Sequence, residues 1–248
     1  MCTVILSRRP GDPWPLLLAG NRDEMAGRPW RPPARHWELS PDVTGGYDEL
    51  AEGSWLAVND HGVVATILNR FGTLGPAAGK RSRGELVLEA LDHADAGDAA
   101  EAMSRLDPRA YRPFNLVVAD NRDAFWLRAD GRTVTALPIA EGVSMLTALE
   151  LNDDADPRIA TFLPRFREAF RPDPETGDWE SWRTLLATRA PKGARDREAG
   201  LTFQLESGFG TRSSALIALP AMDRAGVPPV FLFAAGPPDG APFSPVLL

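Results

Sequence analysis

The stretch TVILSRRPGDPWPLLLAGNRDE, residues 3–24, contains two apolar runs separated by a short segment rich in proline. The runs TVILS (3–7) and LLLAGNR (16–22) have the β-branched and leucine-rich composition of buried strands, and PGDPWP between them is typical of a turn. The pattern predicts a β-hairpin at the start of the chain. Pairing of the two runs across this turn brings the second residue of the chain next to the polar residues that follow LLLAG.

The rest of the chain shows strand and helix signals in separate blocks. GSWLAVND (53–60) and GVVATILNR (62–70) predict a second hairpin, whereas the proline-rich segment 27–37 predicts an irregular, ordered arm. Ser82, with Glu85 three residues later, has the capping-box pattern of a helix start. The remaining expected elements are helices within 82–94 and 95–106, strands at 114–120, 123–129, 132–138 and 143–149, helices at 156–170 and 178–190, a charged loop at 191–198, and strands at 213–220 and 227–235.

This order of elements favours an α+β fold with mostly antiparallel sheets over a parallel βαβ fold, in which strands and helices alternate singly. No internal repeat and no linker-like segment divides the 248 residues. We therefore expect a single domain that covers residues 1–248.

Composition and charge disfavour several classes of function. The formal net charge is −7, which argues against binding to nucleic acid or to an anionic membrane because both need a basic surface. No stretch approaches the ~20 apolar residues that span a bilayer. The apolar run TVIL precedes Arg8 and Arg9 instead of following them, unlike a signal peptide, so we expect a cytoplasmic protein.

The cysteine and histidine content argues against a metal centre. The chain has one cysteine, which excludes an internal disulfide framework and a thiolate metal cluster. The three histidines, His36, His61 and His93, lack the spacing of metal ligands. We expect neither a metal nor a cofactor.

The single cysteine is Cys2, directly behind Met1. Three interpretations are open: a small buried apolar residue, a residue of a frayed terminus, or a nucleophile that also carries a free α-amine once Met1 is removed. In the third case an α-amine with a pKa of about 7.7–8.0 can take the proton of a thiol whose pKa is ordinarily about 8.5.

The polar run NRDE (21–24) either meets solvent where the second strand ends or lies beside Cys2. In the second case Arg22 favours the thiolate, and Asp23 accepts hydrogen bonds from the α-ammonium. Asn69, at the end of GVVATILNR, is a candidate donor for the oxyanion that forms when a thiolate attacks a carbonyl.

An ordered set of motifs resembles the NRDE family, also called transport-and-Golgi-organisation-like. Each motif is weak by itself, but their order and spacing together are specific, and they cover nearly the whole chain. The matching motifs are Met-Cys-Thr at the start, NRDE (21–24), GSWLAVN (53–59), ILN (67–69), SRG (82–84), FNL (114–116) and GTRSS (210–214).

The resemblance implies the αββα sandwich of the N-terminal nucleophile (Ntn) hydrolases, and a similarity to choloylglycine hydrolase and penicillin V acylase. It implies that Cys2 is the nucleophile, with Arg22 and Asp23 as its neighbours. It further implies that Asn69 is an oxyanion donor and that Arg212 is a late arginine that polarises the site.

One departure from the family pattern concerns the second oxyanion donor. Where the family has Ser-Asn, this chain has Thr147-Ala148, and the nearest asparagine is Asn152.

Two functions of different classes follow from the resemblance. The first is an enzyme that cleaves an amide or (thio)ester bond of a small amphipathic substrate. The second is a non-enzymatic carrier of haem or of acyl-lipid ligands in the same cavity, since family members are linked to haem trafficking and lipid handling. Haem is usually ligated by His, Cys, Met or Tyr, and no histidine here lies in a pocket-like segment. A haem-like ligand is therefore expected to bind weakly, between apolar walls and arginines.

Overall fold

The computed structural model describes residues 2–191, 199–224 and 226–248. The strands in this part of the chain are β1 (Thr3–Arg8), β2 (Leu16–Met25), β3 (Trp30–Ala34), β4 (Val43–Asp48), β5 (Leu56–Asn59), β6 (Val64–Asn69), β7 (Phe114–Ala119), β8 (Ala124–Ala129), β9 (Val134–Pro138), β10 (Gly142–Leu146), β11 (Phe209–Leu219), β12 (Val230–Ala234) and β13 (Ser244–Pro245). The helices are α1 (Glu85–Leu91), α2 (Ala96–Ser104), α3 (Pro157–Glu168) and α4 (Glu180–Leu186). The charged loop expected at 191–198 lies, apart from Pro191, outside the described residues.

The chain divides into two compact units, each assembled from separate segments. The first unit comprises residues 1–28, 141–220 and 226–246, and the second comprises 29–140, 221–225 and 247–248. Within the described residues, each unit contains one antiparallel sheet and two helices, which confirms the predicted α+β class. The expectation of one domain over residues 1–248 stays a prediction.

The sheet of the first unit has six strands in the order β10-β1-β2-β11-β12-β13. The helix α3 packs against β10 and α4 packs against β2. Large aromatic side chains fill the space between the helices and the sheet, among them Phe166, Trp179 and Trp182, which pack with Ile5 and Leu17. This core fixes the inner strands β1 and β2, whose ends carry the candidate site.

The predicted opening hairpin is confirmed as β1–β2. Thr3 pairs with Asn21, and Ser7 pairs with Leu17. Because Cys2 immediately precedes Thr3, this register places it beside Arg22.

The sheet of the second unit is a seven-stranded meander in which strands β3 to β9 follow one another in sequence order. The helix α1 packs on β5 and β6, and α2 packs on β7, β8 and β9. The buried core beneath them includes Leu86, Met103, Phe114 and Leu127. The second predicted hairpin is confirmed as β5–β6, in which Leu56 pairs with Thr66.

Two local predictions were wrong. The segment 27–37 is not irregular throughout, because it contains the strand β3, which pairs with β4. The prolines of β3 are tolerated because β3 is the edge strand of its sheet. An edge strand has a neighbour on one side only, so a proline there can lack its N–H without removing a hydrogen bond between strands.

The second wrong prediction is the capping box at Ser82. The N-cap of α1 is Gly84, without a side-chain cap, and the Ser82 hydroxyl accepts a hydrogen bond from the Gly84 N–H. The Glu85 carboxylate instead accepts a hydrogen bond from the Tyr111 hydroxyl at 2.6 Å and pairs with Arg81. Glu85 therefore connects the start of α1 to Tyr111, which lies 26 residues later in the chain.

Candidate active site

Cys2 lies at the end of the inner strand β1, and its thiol rests on the backbone of Asp23. The thiol donates a hydrogen bond to the Asp23 carbonyl, with 3.5 Å between sulfur and oxygen. The Asp23 N–H donates to the same sulfur at 3.3 Å. The residue is half-buried, and both hydrogen bonds of its sulfur go to the main chain of Asp23.

The surroundings of Cys2 favour the protonated thiol. Burial raises the pKa of the Cys2 thiol, and the negative charge of Asp23 raises it further. The hydrogen bond from the Asp23 N–H and the charge of Arg22 act in the opposite direction but do not overcome burial. Arg22 therefore favours the thiolate, in the direction expected from the sequence, but desolvation outweighs its contribution.

The carboxylate of Asp23 is held by two side chains. Thr211 on β11 donates its hydroxyl to Oδ1 at 2.8 Å, and Arg158 on α3 donates from Nη1 to Oδ2 at 3.3 Å. Alternate residues of a strand face opposite sides of the sheet, and Asp23 shares with Thr3 the side that α3 covers. The thiol of Cys2 thus contacts the main chain of Asp23, while the carboxylate lies on the helix-covered face.

Arg158 is a site residue that sequence reasoning missed. Its side chain is 5% exposed, and that of Asp23 is 0% exposed. Arg158 also donates to the hydroxyl of Thr3 at 3.1 Å, and its guanidinium lies over the ring of Phe203. The sequence did contain a signal: an arginine four residues before Phe162 occupies the apolar stripe of an amphipathic helix, where charge is costly unless it is paired.

Arg22 is buried in β2, one residue before Asp23 and opposite Ser213 of β11. Its charge lowers the pKa of the Cys2 thiol, which is the direction expected of a neighbouring cation. The structure therefore brings together Cys2, Arg22 and Asp23, as the hairpin register predicts.

Arg212 lies in an irregularity of β11, because the pairing with β2 shifts between Thr211 and Ser213. An extra residue of this kind re-aims a side chain relative to a regular strand. The guanidinium of Arg212 donates to the Glu24 carbonyl at 3.0 Å, to Gln204 Oε1 at 2.8 Å and to the Gly208 carbonyl. These bonds attach Arg212 to β2 and to the segment that precedes β11, and its role in the site stays a prediction.

Asn69 is the last residue of β6 in the second unit, where it pairs with Phe114. Its role as an oxyanion donor to Cys2 also stays a prediction.

The segment that contains the Thr147-Ala148 pair, between β10 and α3, is held by hydrogen bonds between its own residues and its two flanking elements. Thr147 donates its hydroxyl to Asp156, which is the N-cap of α3, and Ala148 is buried. Asn152 has a φ of 58°, accepts from the Met145 N–H at 2.8 Å and donates to the Ser144 hydroxyl at 3.2 Å. The amide of Asn152 thus closes this loop against β10, and the identity of a second oxyanion donor stays open.

Among the described residues, none of the helices is long and apolar enough to cross a membrane. Over the same part of the chain, no group of three or more His, Cys, Asp or Glu side chains is arranged to hold a metal ion.

The described residues form two antiparallel sheets with helices packed on each, and similar solved structures match this architecture to the Ntn-hydrolase fold. The chain belongs to the Transport and Golgi organisation 2 family, whose sequence profile matches residues 1–223. This confirms the resemblance drawn from the motifs. Among curated proteins no sequence match was found.

Similar solved structures support the fold assignment. The Caenorhabditis elegans ortholog of N-acylethanolamine-hydrolyzing acid amidase has a TM-score of 0.58 at 14% identity, covering 87% of this chain and 92% of its own. Penicillin V acylase from Agrobacterium tumefaciens has a TM-score of 0.53 at 11% identity, covering 94% and 83%. A mutant conjugated bile acid hydrolase from Clostridium perfringens has a TM-score of 0.53 at 11% identity, covering 100% and 97%. At these identities the likeness concerns the fold alone.

Proposed function

We propose that the chain is a cysteine Ntn hydrolase that cleaves an amide or thioester bond of a small amphipathic substrate, with Cys2 as the nucleophile after removal of Met1. The observation that carries the proposal is the position of Cys2. Its sulfur is fixed on the backbone of Asp23, whose carboxylate is itself held by Arg158 and Thr211. A half-buried terminal thiol fixed in this way is pre-positioned for attack on a bound carbonyl.

Removal of Met1 changes the chemistry of the site because it creates an α-amine on Cys2. The amine takes the thiol proton, and the resulting thiolate attacks the substrate carbonyl carbon. The ammonium then returns the proton to the departing amine or thiol, leaving an acyl thioester on Cys2 that water hydrolyses. In this proposal Asp23 orients the ammonium, Arg22 favours the thiolate, Asn69 donates to the oxyanion, and Arg212 polarises the site.

The names of the similar structures agree with this reaction class. They describe an amidase, an acylase and a hydrolase, and the bile acid hydrolase was solved as a mutant in which a cysteine at its second residue is replaced by alanine. We therefore assign the substrate class as acyl compounds with an amide or thioester bond.

The proposal is tested with four preparations: untagged protein, protein with an uncleavable N-terminal tag, protein with a C-terminal tag, and the Cys2→Ala variant. An N-terminal extension converts the α-amine into an amide that cannot accept the thiol proton. Loss of a general base typically reduces the rate by about 10²–10⁴-fold. We expect the N-terminal tag and Cys2→Ala to abolish turnover of small amide and thioester substrates. The C-terminal tag is the matched control and leaves turnover intact.

Equal turnover in all four preparations would contradict the enzyme proposal. A carrier of haem or acyl-lipid ligands is the second candidate, since the raised pKa of the Cys2 thiol in the unprocessed chain argues against a nucleophile there. A carrier binds through its cavity walls and needs no α-amine. Haemin binding that survives both tags and Cys2→Ala, without turnover in any preparation, supports the carrier. A cytoplasmic location, expected from the sequence, stays a prediction for either function.

A further inference from the structure

The ion pair between Arg158 and Asp23 occupies an unusual position for an arginine. Arg158 is the second residue of α3, directly after Pro157, in a helix whose N-cap is Asp156. The N-terminus of a helix carries a partial positive charge, so a cation there is disfavoured. Burial of the guanidinium adds a desolvation cost. An arginine at this position therefore needs a compensating anion, and Asp23 provides it.

The pair connects three elements at the end of the sheet where Cys2 lies. Arg158 reaches from α3 to Asp23 on β2 and to the hydroxyl of Thr3 on β1, the residue that follows Cys2. Thr211 on β11 holds the other oxygen of the carboxylate and accepts from the Phe203 N–H at 3.3 Å. The carboxylate is fixed from two sides, and the first residue of β1 is fixed by the same guanidinium.

A stabilising role alone does not explain this arrangement. A buried ion pair contributes little net stability compared with apolar side chains of the same volume. The neighbouring positions of the helix, Ile159, Phe162 and Leu163, are all apolar and buried. An apolar residue at 158 would extend the buried apolar face of α3. Stability alone therefore does not account for a charged side chain at this position.

We propose that Arg158 is a positioning residue for the N-terminal nucleophile: through Asp23 and Thr3 it fixes the terminal nitrogen and thiol of Cys2 and balances the charge of the Asp23 carboxylate. This inference rests on the proposed function, since it assigns the role that supports Cys2 in that reaction. Without Arg158 the full negative charge of Asp23 acts on the two ionisable groups of the processed Cys2. Both groups then hold their protons more tightly, and the α-amine is less available as a base at neutral pH.

A titration at Cys2 also responds to the charged residues at the same end of these elements. They are Arg22, Asp23 and Glu24 on β2, Asp156 at the N-cap of α3, Arg158 on α3 and Arg212 on β11. Removal of Arg158 changes one of these charges and leaves the others in place.

The experiment uses the only cysteine of the chain as a spectroscopic probe. Protein lacking Met1 is labelled with [3-¹³C]cysteine, which gives one labelled β-carbon whose chemical shift follows ionisation of the thiol and the amine. The titration is compared in wild type, Arg158→Met, Arg158→Gln, Arg158→Lys and Arg171→Met. The last variant is the matched control, because it removes an arginine that pairs with Asp12 at 3.1 Å, in the turn at the other end of the β1–β2 hairpin.

We expect the midpoint of the titration to rise by at least about half a pH unit in Arg158→Met and Arg158→Gln. Arg158→Lys keeps the charge, so its midpoint is expected to rise less than half as far. The midpoint of Arg171→Met is expected to match that of wild type. In turnover assays the neutral variants lower kcat by about tenfold or more with KM unchanged, and the lysine variant recovers part of the loss.

Midpoints in both neutral variants that match Arg171→Met, or that fall, would overturn the role of Arg158. Should Arg158→Met not fold, Arg158→Gln and Arg158→Lys decide, since both keep a donor for Thr3. The titration needs no turnover, so it separates this inference from the proposed function. A wild-type protein that hydrolyses no acyl substrate contradicts the enzyme and leaves the comparison of midpoints readable.

Discussion

At Cys2, the balance between burial and neighbouring charge decides whether the residue is reactive. The sulfur receives one N–H from Asp23 and donates its proton to the carbonyl of the same residue. That second bond exists only for the thiol, because a thiolate has no proton to donate. These contacts and the raised pKa of the thiol favour the protonated cysteine in the unprocessed chain, and the proposed function requires the α-amine for reactivity.

The first prediction concerns the reactivity of this thiol in folded protein that retains an N-terminal extension. Since burial raises the pKa of Cys2, less thiolate is present at neutral pH than in free cysteine. We expect iodoacetamide to alkylate it more slowly than free cysteine at pH 7, with a rate that continues to rise at pH values where free cysteine has reached its plateau. In concentrated urea the rate should return to that of free cysteine. A rate in the folded protein equal to or above that of free cysteine would contradict the raised pKa.

At the scale of elements, two glycines of the family motifs allow a close contact between a strand and a helix. Gly53, just before β5, lies against Gly84 at the start of α1, and the Ser54 N–H donates to the Gly84 carbonyl at 3.0 Å. A Cβ on Gly53 would come within 2.6 Å of the Gly84 carbonyl oxygen and 2.8 Å of the Glu85 nitrogen. The glycines of the motifs GSW and SRG therefore allow the start of α1 to pack closely against the segment before β5.

The second prediction is that Gly53→Ala destabilises the protein. The added methyl group meets backbone atoms, which cannot move aside as a flexible side chain can, so α1 must shift away from the sheet. We expect a loss of about 1–3 kcal/mol in the free energy of unfolding, measured with urea. Gly27→Ala is the matched control, because a Cβ there meets nothing within 4 Å, and it should change stability by less than about 0.5 kcal/mol. Equal stabilities of the two variants would show that the contact is not tight in solution.

Sequence patterns predict elements where local composition decides them. The hairpins β1–β2 and β5–β6 and the consecutive strands β7 to β10 follow from apolar runs with turn residues between them. The strand β3 was missed because its prolines argue against regular structure, and only its edge position makes them acceptable. The capping box at Ser82 failed because Glu85 finds better partners in Tyr111 and Arg81, one of which lies 26 residues away.

The same distinction applies to the candidate site. The grouping of Cys2 with Arg22 and Asp23 is readable because one hairpin register determines it. Arg158 and Thr211 are separated from Asp23 by 135 and 188 residues, so no local pattern joins them to it. The carboxylate in the middle of the site was predictable, and the two groups that hold it were not.

At the scale of the whole molecule, the candidate nucleophile belongs to a unit built from distant parts of the chain. The strand β1 pairs with β10, and β2 pairs with β11, whose last residue is Leu219. The surroundings of Cys2 are therefore complete only when α3 and β11 have joined the opening hairpin. Contacts of such sequence separation carry a loop-closure cost that slows folding.

The third prediction is that Met1 is absent from native, untagged protein isolated from cells. The proposed reaction needs the α-amine of Cys2, and a small residue at position 2 permits removal of the initiator. Intact mass spectrometry measures the outcome directly: the main species should lack one methionine. Retention of Met1 on most of the protein would count heavily against the enzyme and leave the carrier as the better account.

Because β1 pairs with β10 and β2 pairs with β11, the opening hairpin is synthesised well before the strands that flank it. The opening hairpin leaves the ribosome long before the residues that cover it, since translation proceeds at about 5–20 residues per second. More than a hundred residues separate β2 from β10, and β11 is later still. The amino terminus thus stays accessible to a processing peptidase for on the order of ten seconds before its partners arrive. Under the proposed function, the topology places removal of Met1 before folding, because the peptidase can act on the nascent chain before the sheet closes around Cys2.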